Sequence, residues 1–105
     1  MAEKTIDINI MNIIERYIKE ISKKFNIKEV YVFGSYAKGT NHEDSDIDIA
    51  VVLDSNSDTI DLMVELMILT QKIDLRIEPH PIKTKDFEEG NPFIDEIKST
   101  GLKVA

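Results

Sequence analysis

The sequence predicts a mixed α/β (α+β) fold, in which a small mixed β-sheet is flanked by helices. Three observations carry this prediction. Apolar residues recur at helical spacing near the N-terminus, two short β-rich apolar runs follow, and a later segment alternates apolar and charged residues. With 105 residues, of which 42% are hydrophobic and 31% charged, the chain is expected to fold as one domain over residues 1–105.

The first half of the chain predicts one helix and two strands. A turn is expected at Asn26, before the short β-rich apolar run of residues 30–33. Residues 47–53 form a second apolar strand, which a polar run then stops. The helix lies within residues 8–25 and is predicted from an apolar stripe made of Ile10, Ile13, Ile14, Tyr17, Ile18 and Ile21.

A helix and a third strand are expected next. Asp58 has the side chain of an N-cap residue. Residues 73–78 alternate apolar and charged side chains, which is the period of a half-buried strand, and Pro79 and Pro81 should end this strand or keep it near a sheet edge. The residues expected to face inward from the helix are Ile60, Met63, Leu66, Met67 and Thr70.

The C-terminal region predicts one more helix. Asn91 and Pro92 are typical of an N-cap and a first helical residue, and Gly101 is expected to end the helix. Phe93, Ile94 and Ile97 supply its apolar positions. Residues 102–105 could add a short edge strand.

Composition excludes several classes of protein. The chain has no cysteine, which excludes disulfides and thiolate metal sites, and no apolar run reaches the ~20 residues of a membrane span. The N-terminus lacks a signal-peptide pattern, so a cytoplasmic protein is expected. A net charge of −7 argues against an extended nucleic-acid surface but remains compatible with a metal-bound nucleotide.

Acidic residues at alternate positions open the second strand. Because residues i and i+2 of a strand point to the same face, Asp46 and Asp48 are expected to converge while Ile47 and Ile49 enter the core. Asp74 could join them if its strand is a neighbour. Carboxylates gathered on one face repel one another unless a cation lies between them, and oxygen ligands suit Mg²⁺ or Mn²⁺ better than zinc.

A tight turn precedes these acids. Gly34 lets the backbone approach a phosphate closely, Ser35 can donate its hydroxyl, and the segment that follows is expected to end at Gly39. An anion cradle beside a set of metal-binding carboxylates is what nucleotidyl transfer requires.

Other interpretations of the same residues are weaker. The spacing of Gly34 and Gly39 resembles a P-loop, but the lysine that should follow the second glycine is absent. Runs that start at Asp44 and Asp54 mimic a calcium loop, yet neither has the glycine that its sixth position requires. Alternating aspartates alone would also fit a strand face exposed to solvent. The Gly-Ser turn upstream makes this interpretation less favoured.

The combination resembles a known family. The run "FGSYAKGTNHEDSDIDIAVV" is similar to the minimal nucleotidyltransferases of the DNA polymerase β-like superfamily, which are commonly paired with HEPN partners in toxin–antitoxin modules. The resemblance implies that Asp46 and Asp48 bind two Mg²⁺ ions, with Asp74 as the third carboxylate. It also implies that Gly34 and Ser35 hold the β- and γ-phosphates of ATP, and that the third acid helps to activate the attacking hydroxyl.

The third acid has an alternative. Asp74 and Glu78 share a face of the predicted strand, with Arg76 between them, so either could reach the metal ions. Asp74 is favoured because an Ile-Asp-Leu strand is the pattern of the family. The two histidines, His42 and His80, have no role that the sequence alone assigns.

Resemblance also implies the acceptor. A catalytic core of this size suggests that another protein completes the acceptor site, and the family points to a HEPN toxin whose tyrosine receives AMP. A binding antitoxin that masks its partner without catalysis is the alternative from a different class. A third hypothesis is a small-molecule nucleotidyltransferase that works as an oligomer.

Overall fold

Four strands form a single sheet in the computed structural model, which describes residues 6–105. The strand order is β3-β2-β1-β4, with β1 antiparallel to both β2 and β4, and with β2 parallel to β3. The elements are α1 (Ile8–Ser22), β1 (Asn26–Phe33), α2 (Ser35–Lys38), β2 (Ile47–Asp54), α3 (Thr59–Thr70), β3 (Ile77–Lys83), α4 (Thr84–Glu89), α5 (Pro92–Thr100) and β4 (Leu102–Lys103). The mixed α/β prediction is confirmed.

Helices cover both faces of the sheet. The buried residues of α1 and α3 pack in one cluster with Ile47 and Ile49, while Ala50 and Val52 pack in a second cluster with residues of α4 and α5. Since side chains alternate along a strand, Asp48 belongs to the face that α4 and α5 cover. The polar start of β2 is therefore attached to a strand whose centre is buried on both sides.

The helix caps and the C-terminal edge strand that the sequence predicted are present in the structure. Asp58 accepts a hydrogen bond from the backbone N–H of Ile60 at 3.2 Å, and Asn91 accepts one from Ile94 at 2.9 Å. Gly39 ends α2 in the left-handed conformation. The predicted C-terminal edge strand is present as β4, which pairs with β1.

The third strand differs from its prediction. Residues 71–76 form turns, and the strand begins at Ile77 and continues through Pro79 and Pro81 to Lys83. Prolines are tolerated there because β3 lies at the edge of the sheet, as the sequence led us to expect. Leu75, expected on the buried face, has 78% of its surface exposed. The prediction of a strand over residues 73–78 was therefore wrong by several residues.

Smaller differences concern α3, α4 and β1. The prediction missed α4 and started β1 at residue 30, four residues after its start at Asn26. In α3, Leu62, Leu66 and Leu69 are buried, while Ile60 and Met67, expected inside, are exposed. None of the helices described within residues 6–105 has the length and apolar character that crossing a bilayer requires.

Candidate active site

Two acidic side chains face each other across the parallel strands. The register of β2 and β3 pairs Asp48 with Glu78, and it pairs Ala50 with His80. Because the register fixes which side chains are neighbours, Glu78 and His80 stand on the same face as Asp48. A ligand atom from each of these three residues lies within 4.8 Å of the others.

The surroundings of Glu78 disfavour the negative charge of its carboxylate. Burial raises the pKa of its carboxyl, and the negative charge of Asp48 raises that pKa further. The neighbouring carboxylate of Asp46 adds to the rise. Asp46 itself is exposed and precedes the first residue of β2. A cation among these carboxylates would remove the repulsion that raises the pKa of Glu78.

Gly34 connects the turn to the acids. Its φ of 72° lies in the region that favours glycine, and a Cβ at this position would collide with the carboxylate of Asp48. Ser35 follows as the first residue of α2. The turn and the acids, which the sequence separates by more than ten residues, are therefore in direct contact.

His80 lies beside the carboxylates. Its Nε2 atom is 3.5 Å from Asp48 Oδ1 and 3.9 Å from Glu78 Oε1. The first distance falls within ion-pair range, but its geometry does not make a hydrogen bond, and Nε2 is buried without a hydrogen-bond partner among the described residues. Phe33 packs edge-on against the ring at 5.0 Å between centroids.

Asp74 lies outside this group. Its carboxylate accepts two side-chain hydrogen bonds from Arg76, at 3.1 and 2.9 Å, and a third from the backbone N–H of Arg76 at 2.9 Å. These bonds, led by that from the guanidinium, hold the pKa of Asp74 below its usual value. Because Asp74 precedes β3, the structure does not bring it beside Asp48.

A groove extends from the acids toward α3. Its volume is about 300 Å³, and its lining includes Asp46 and Glu78 together with apolar side chains. Arg76 also lines it, which keeps one positive charge close to the carboxylates. The apolar lining consists of Met63, Met67, Leu75 and Ile77.

The sequence identified most of this arrangement. It placed the turn at Gly34 beside the acids of β2, and it named Glu78 as the alternative to Asp74. The convergence of Asp46 with Asp48 stays a prediction, since the ligand atoms that lie together belong to Asp48, Glu78 and His80. The sequence assigned nothing to His80, although the alternate spacing of Glu78 and His80 carried the same signal as that of Asp46 and Asp48. That signal was hidden because the intervening proline argued against a strand.

The donor set fits a divalent cation. Carboxylates are the oxygen ligands that Mg²⁺ and Mn²⁺ take in proteins, and the unpartnered Nε2 of His80 adds a nitrogen donor. The carboxylate of Asp48 can lie directly against the turn only because Gly34 has no side chain. Such an arrangement can bind a metal-bound polyphosphate and direct its reacting phosphorus toward an acceptor.

Comparison with known proteins agrees with this chemistry. A family model described as "Nucleotidyltransferase domain" matches residues 14–104. A Methanocaldococcus jannaschii protein with the provisional name of protein adenylyltransferase is 36% identical over 89 residues, covering 76% of this chain and 89% of that protein. The protein adenylyltransferase MntA of Thermococcus cleftensis is 43% identical over 51 residues, which cover 49% of this chain and 50% of that protein.

Solved structures share the fold. A crystal structure from Sulfolobus solfataricus, described as a nucleotidyltransferase, superposes with a TM-score of 0.69 at 21% identity and covers 91% of this chain and 79% of that one. A toxin–antitoxin structure with AMP-PNP superposes with a TM-score of 0.63 at 25% identity, covering 89% of this chain and 70% of that one. The same arrangement of strands and helices thus occurs in a nucleotide complex.

Proposed function

Because the chain belongs to the nucleotidyltransferase domain family, we propose that this nucleotidyltransferase moves AMP from ATP to a hydroxyl of a partner protein. The observation that carries the proposal is the contact of the Gly34 turn with Asp48, opposite Glu78 in the neighbouring strand. In this proposal the turn binds phosphate and the two carboxylates bind metal, and the contact brings the two parts together. Residues 1–105 would form one catalytic domain, acting in the cytoplasm where ATP is available.

The carboxylates have distinct roles in this proposal. Asp46, Asp48 and Glu78 would hold two divalent ions, either Mg²⁺ or Mn²⁺. Glu78 takes the role of third carboxylate that the sequence favoured for Asp74, because Glu78 is the residue paired with Asp48. Metal ions bound there would polarise the triphosphate and stabilise the charge that develops on it.

The chain's own residues position the reactants. The backbone at Gly34 and the hydroxyl of Ser35 would bind the β- and γ-phosphates, which holds the α-phosphorus toward the carboxylates. The acceptor oxygen then forms a bond to the α-phosphorus while the bond to pyrophosphate breaks. Glu78, which is paired with Asp48 across the two strands, would accept the proton of the acceptor hydroxyl.

The relatives suggest the acceptor. Proteins named MntA are protein adenylyltransferases, and solved structures pair MntA with HpeT as a toxin–antitoxin. One of these structures, 26% identical to this chain with a TM-score of 0.58, carries a tyrosine-to-alanine mutation. We propose by analogy that this chain is an antitoxin and that its acceptor is a tyrosine of a HEPN-type toxin encoded beside it.

Intact mass spectrometry of the partner tests the proposal. Incubation of the chain with ATP, Mg²⁺ and that partner is expected to add whole AMP units to the partner. The Asp46→Asn/Asp48→Asn variant should still bind the partner but should add no mass and should fail to neutralise it. If this variant protects cells as well as the wild type and the wild-type reaction produces no mass shift, the protein acts by masking and the proposal is wrong.

A further inference from the structure

We propose that His80 binds the divalent ion of this site through Nε2, so that the site prefers a first-row transition ion such as Mn²⁺ over Mg²⁺. The inference rests on the proposed function, in which Asp48 and Glu78 hold a metal ion. It adds a nitrogen ligand, which the carboxylate signature of the sequence does not contain.

The fold fixes the direction of the imidazole. His80 follows Glu78 by two residues on β3, so both side chains leave the same face of the strand. Phe33 and Phe93 contact the ring, with centroid distances of 5.0 and 6.1 Å, and they also pack against each other at 5.5 Å. This aromatic packing holds Nε2 toward the carboxylate of Asp48.

The distances suit one shared ion. Nε2 lies 3.5 Å from Asp48 Oδ1 and 3.9 Å from Glu78 Oε1. Adjacent ligands in an octahedral site with bonds of about 2.1 Å are separated by about 3.0 Å. Nε2 is thus slightly farther from each carboxylate oxygen than adjacent ligands should be, and side-chain movements would bring all three donors to one ion.

A second observation points to a ligand. Nε2 is buried and has no hydrogen-bond partner among the described residues, although it faces two carboxylates. A buried polar atom without a partner is unfavourable and rare in folded proteins, so it calls for an explanation. Coordination of a metal ion by the lone pair of Nε2 provides one.

Ligand chemistry sets the preference. Mg²⁺ is bound almost entirely by oxygen, whereas imidazole is a good ligand for transition ions, whose affinity rises along the series from Mn²⁺ to Co²⁺. Replacing one oxygen ligand by Nε2 therefore favours Mn²⁺ over Mg²⁺. Removal of His80 should weaken Mn²⁺ binding far more than Mg²⁺ binding.

Pulsed electron paramagnetic resonance of bound Mn²⁺ tests the inference without nucleotide or partner. Wild-type protein loaded with Mn²⁺ alone is expected to show nitrogen hyperfine coupling. The His80→Phe variant keeps an aromatic ring against Phe33 and Phe93 but should lose the coupling. The matched control is His42→Gln in the exposed loop before Asp46, which should keep the coupling.

Titration of the same proteins with each metal gives a second measurement. His80→Phe is expected to reduce Mn²⁺ affinity at least about tenfold and to change Mg²⁺ affinity by less than about threefold. Absence of nitrogen coupling in the wild type, or equal losses for both metals, would show that His80 only packs beside the site. AMP transfer by the wild type with Mg²⁺ would persist in that case, which separates this failure from a failure of the proposed function.

Discussion

Gly34 and Asp48 depend on each other at the scale of single residues. The carboxylate of Asp48 occupies the volume that a Cβ of residue 34 would fill, so the turn and the acid approach as closely as van der Waals contact allows. A glycine is required here for two reasons, the positive φ and this contact.

Alanine substitutions at two glycines separate the effect of the positive φ from the effect of the contact with Asp48. Gly34→Ala and Gly39→Ala both place a side chain at a positive φ, which costs about 1–2 kcal/mol of the free energy of unfolding. No atom lies within 4 Å of a Cβ at Gly39, whereas Gly34→Ala also displaces Asp48. We expect Gly34→Ala to be the less stable variant in urea and to lose ATP binding, while Gly39→Ala keeps it. Equal ATP affinity in the two variants would contradict a phosphate-binding role for the turn at Gly34.

The identity of the third carboxylate is a second prediction at this scale. Glu78→Gln should abolish AMP transfer while keeping much of the ATP binding, because the lost interaction acts mainly in the transition state. Asp74→Asn should retain most of the transfer and instead lose about 1 kcal/mol of stability with its bonds to Arg76. Single-turnover rates of AMP transfer measure both effects. The opposite order of the two rates would return the role to Asp74.

At the scale of secondary structure, β3 shows what the sequence could and could not predict. Alternation at residues 73–78 is a valid strand pattern, but the carboxylate of Asp74 bonds to the backbone N–H of Arg76 and forms a local turn instead. Strand pairing to β2 then continues through Pro79 and Pro81, which single-residue preferences disfavour. The pairing depends on residues far apart in sequence, and local periodicity does not contain it.

The two long helices differ in how well the sequence predicted their buried faces. The stripe of α1 has one apolar face, and its residues Ile10, Ile14 and Tyr17 are buried as expected. By contrast, α3 is apolar nearly all round, so periodicity could not select which side faces the core. The expectation that Asp46 and Asp48 share a face rested on strand geometry alone, and it stays a prediction because Asp46 precedes β2. The choice between Asp74 and Glu78 required the register of β3.

A hydrogen bond between α1 and α3 gives a prediction for these elements. The hydroxyl of Tyr17 donates to the backbone carbonyl of Leu66 at 2.7 Å, and burial raises the pKa of Tyr17 well above its usual value of 10.0. Tyr17→Phe removes this buried hydrogen bond, while the Leu66 carbonyl keeps its helical partner in α3, so the loss should be about 0.5–1.5 kcal/mol at neutral pH. Urea unfolding with the Tyr31→Phe variant as control measures the loss.

Because of the same tyrosine, the free energy of unfolding should depend on pH in the alkaline range. Because the folded protein keeps the Tyr17 proton above pH 10.0 while the unfolded chain releases it, stability should fall as pH rises beyond that value. The slope from this one group is at most about 1.4 kcal/mol per pH unit. Tyr17→Phe should remove this part of the slope between pH 10 and 11, so that an unchanged slope would contradict the assignment.

For the whole molecule, the topology assembles the site from distant parts of the chain. The crossover from β2 through α3 makes β3 a parallel neighbour, and this places Glu78 opposite Asp48, while β1 on the other side of β2 delivers Gly34. The acids converge in a chain whose net charge is already −7, so their repulsion is not offset by the protein as a whole. A bound cation would offset it.

Isothermal titration calorimetry of ATP, with Mg²⁺ and with EDTA, tests this account most directly. Wild-type protein and the exposed control Asp44→Asn should bind ATP with Mg²⁺ and lose at least about tenfold in affinity with EDTA. The Asp46→Asn/Asp48→Asn variant should bind weakly in both conditions, yet it should remain folded because carboxylate repulsion is relieved. Wild-type affinity that is equal with Mg²⁺ and with EDTA would contradict a joint metal and nucleotide site.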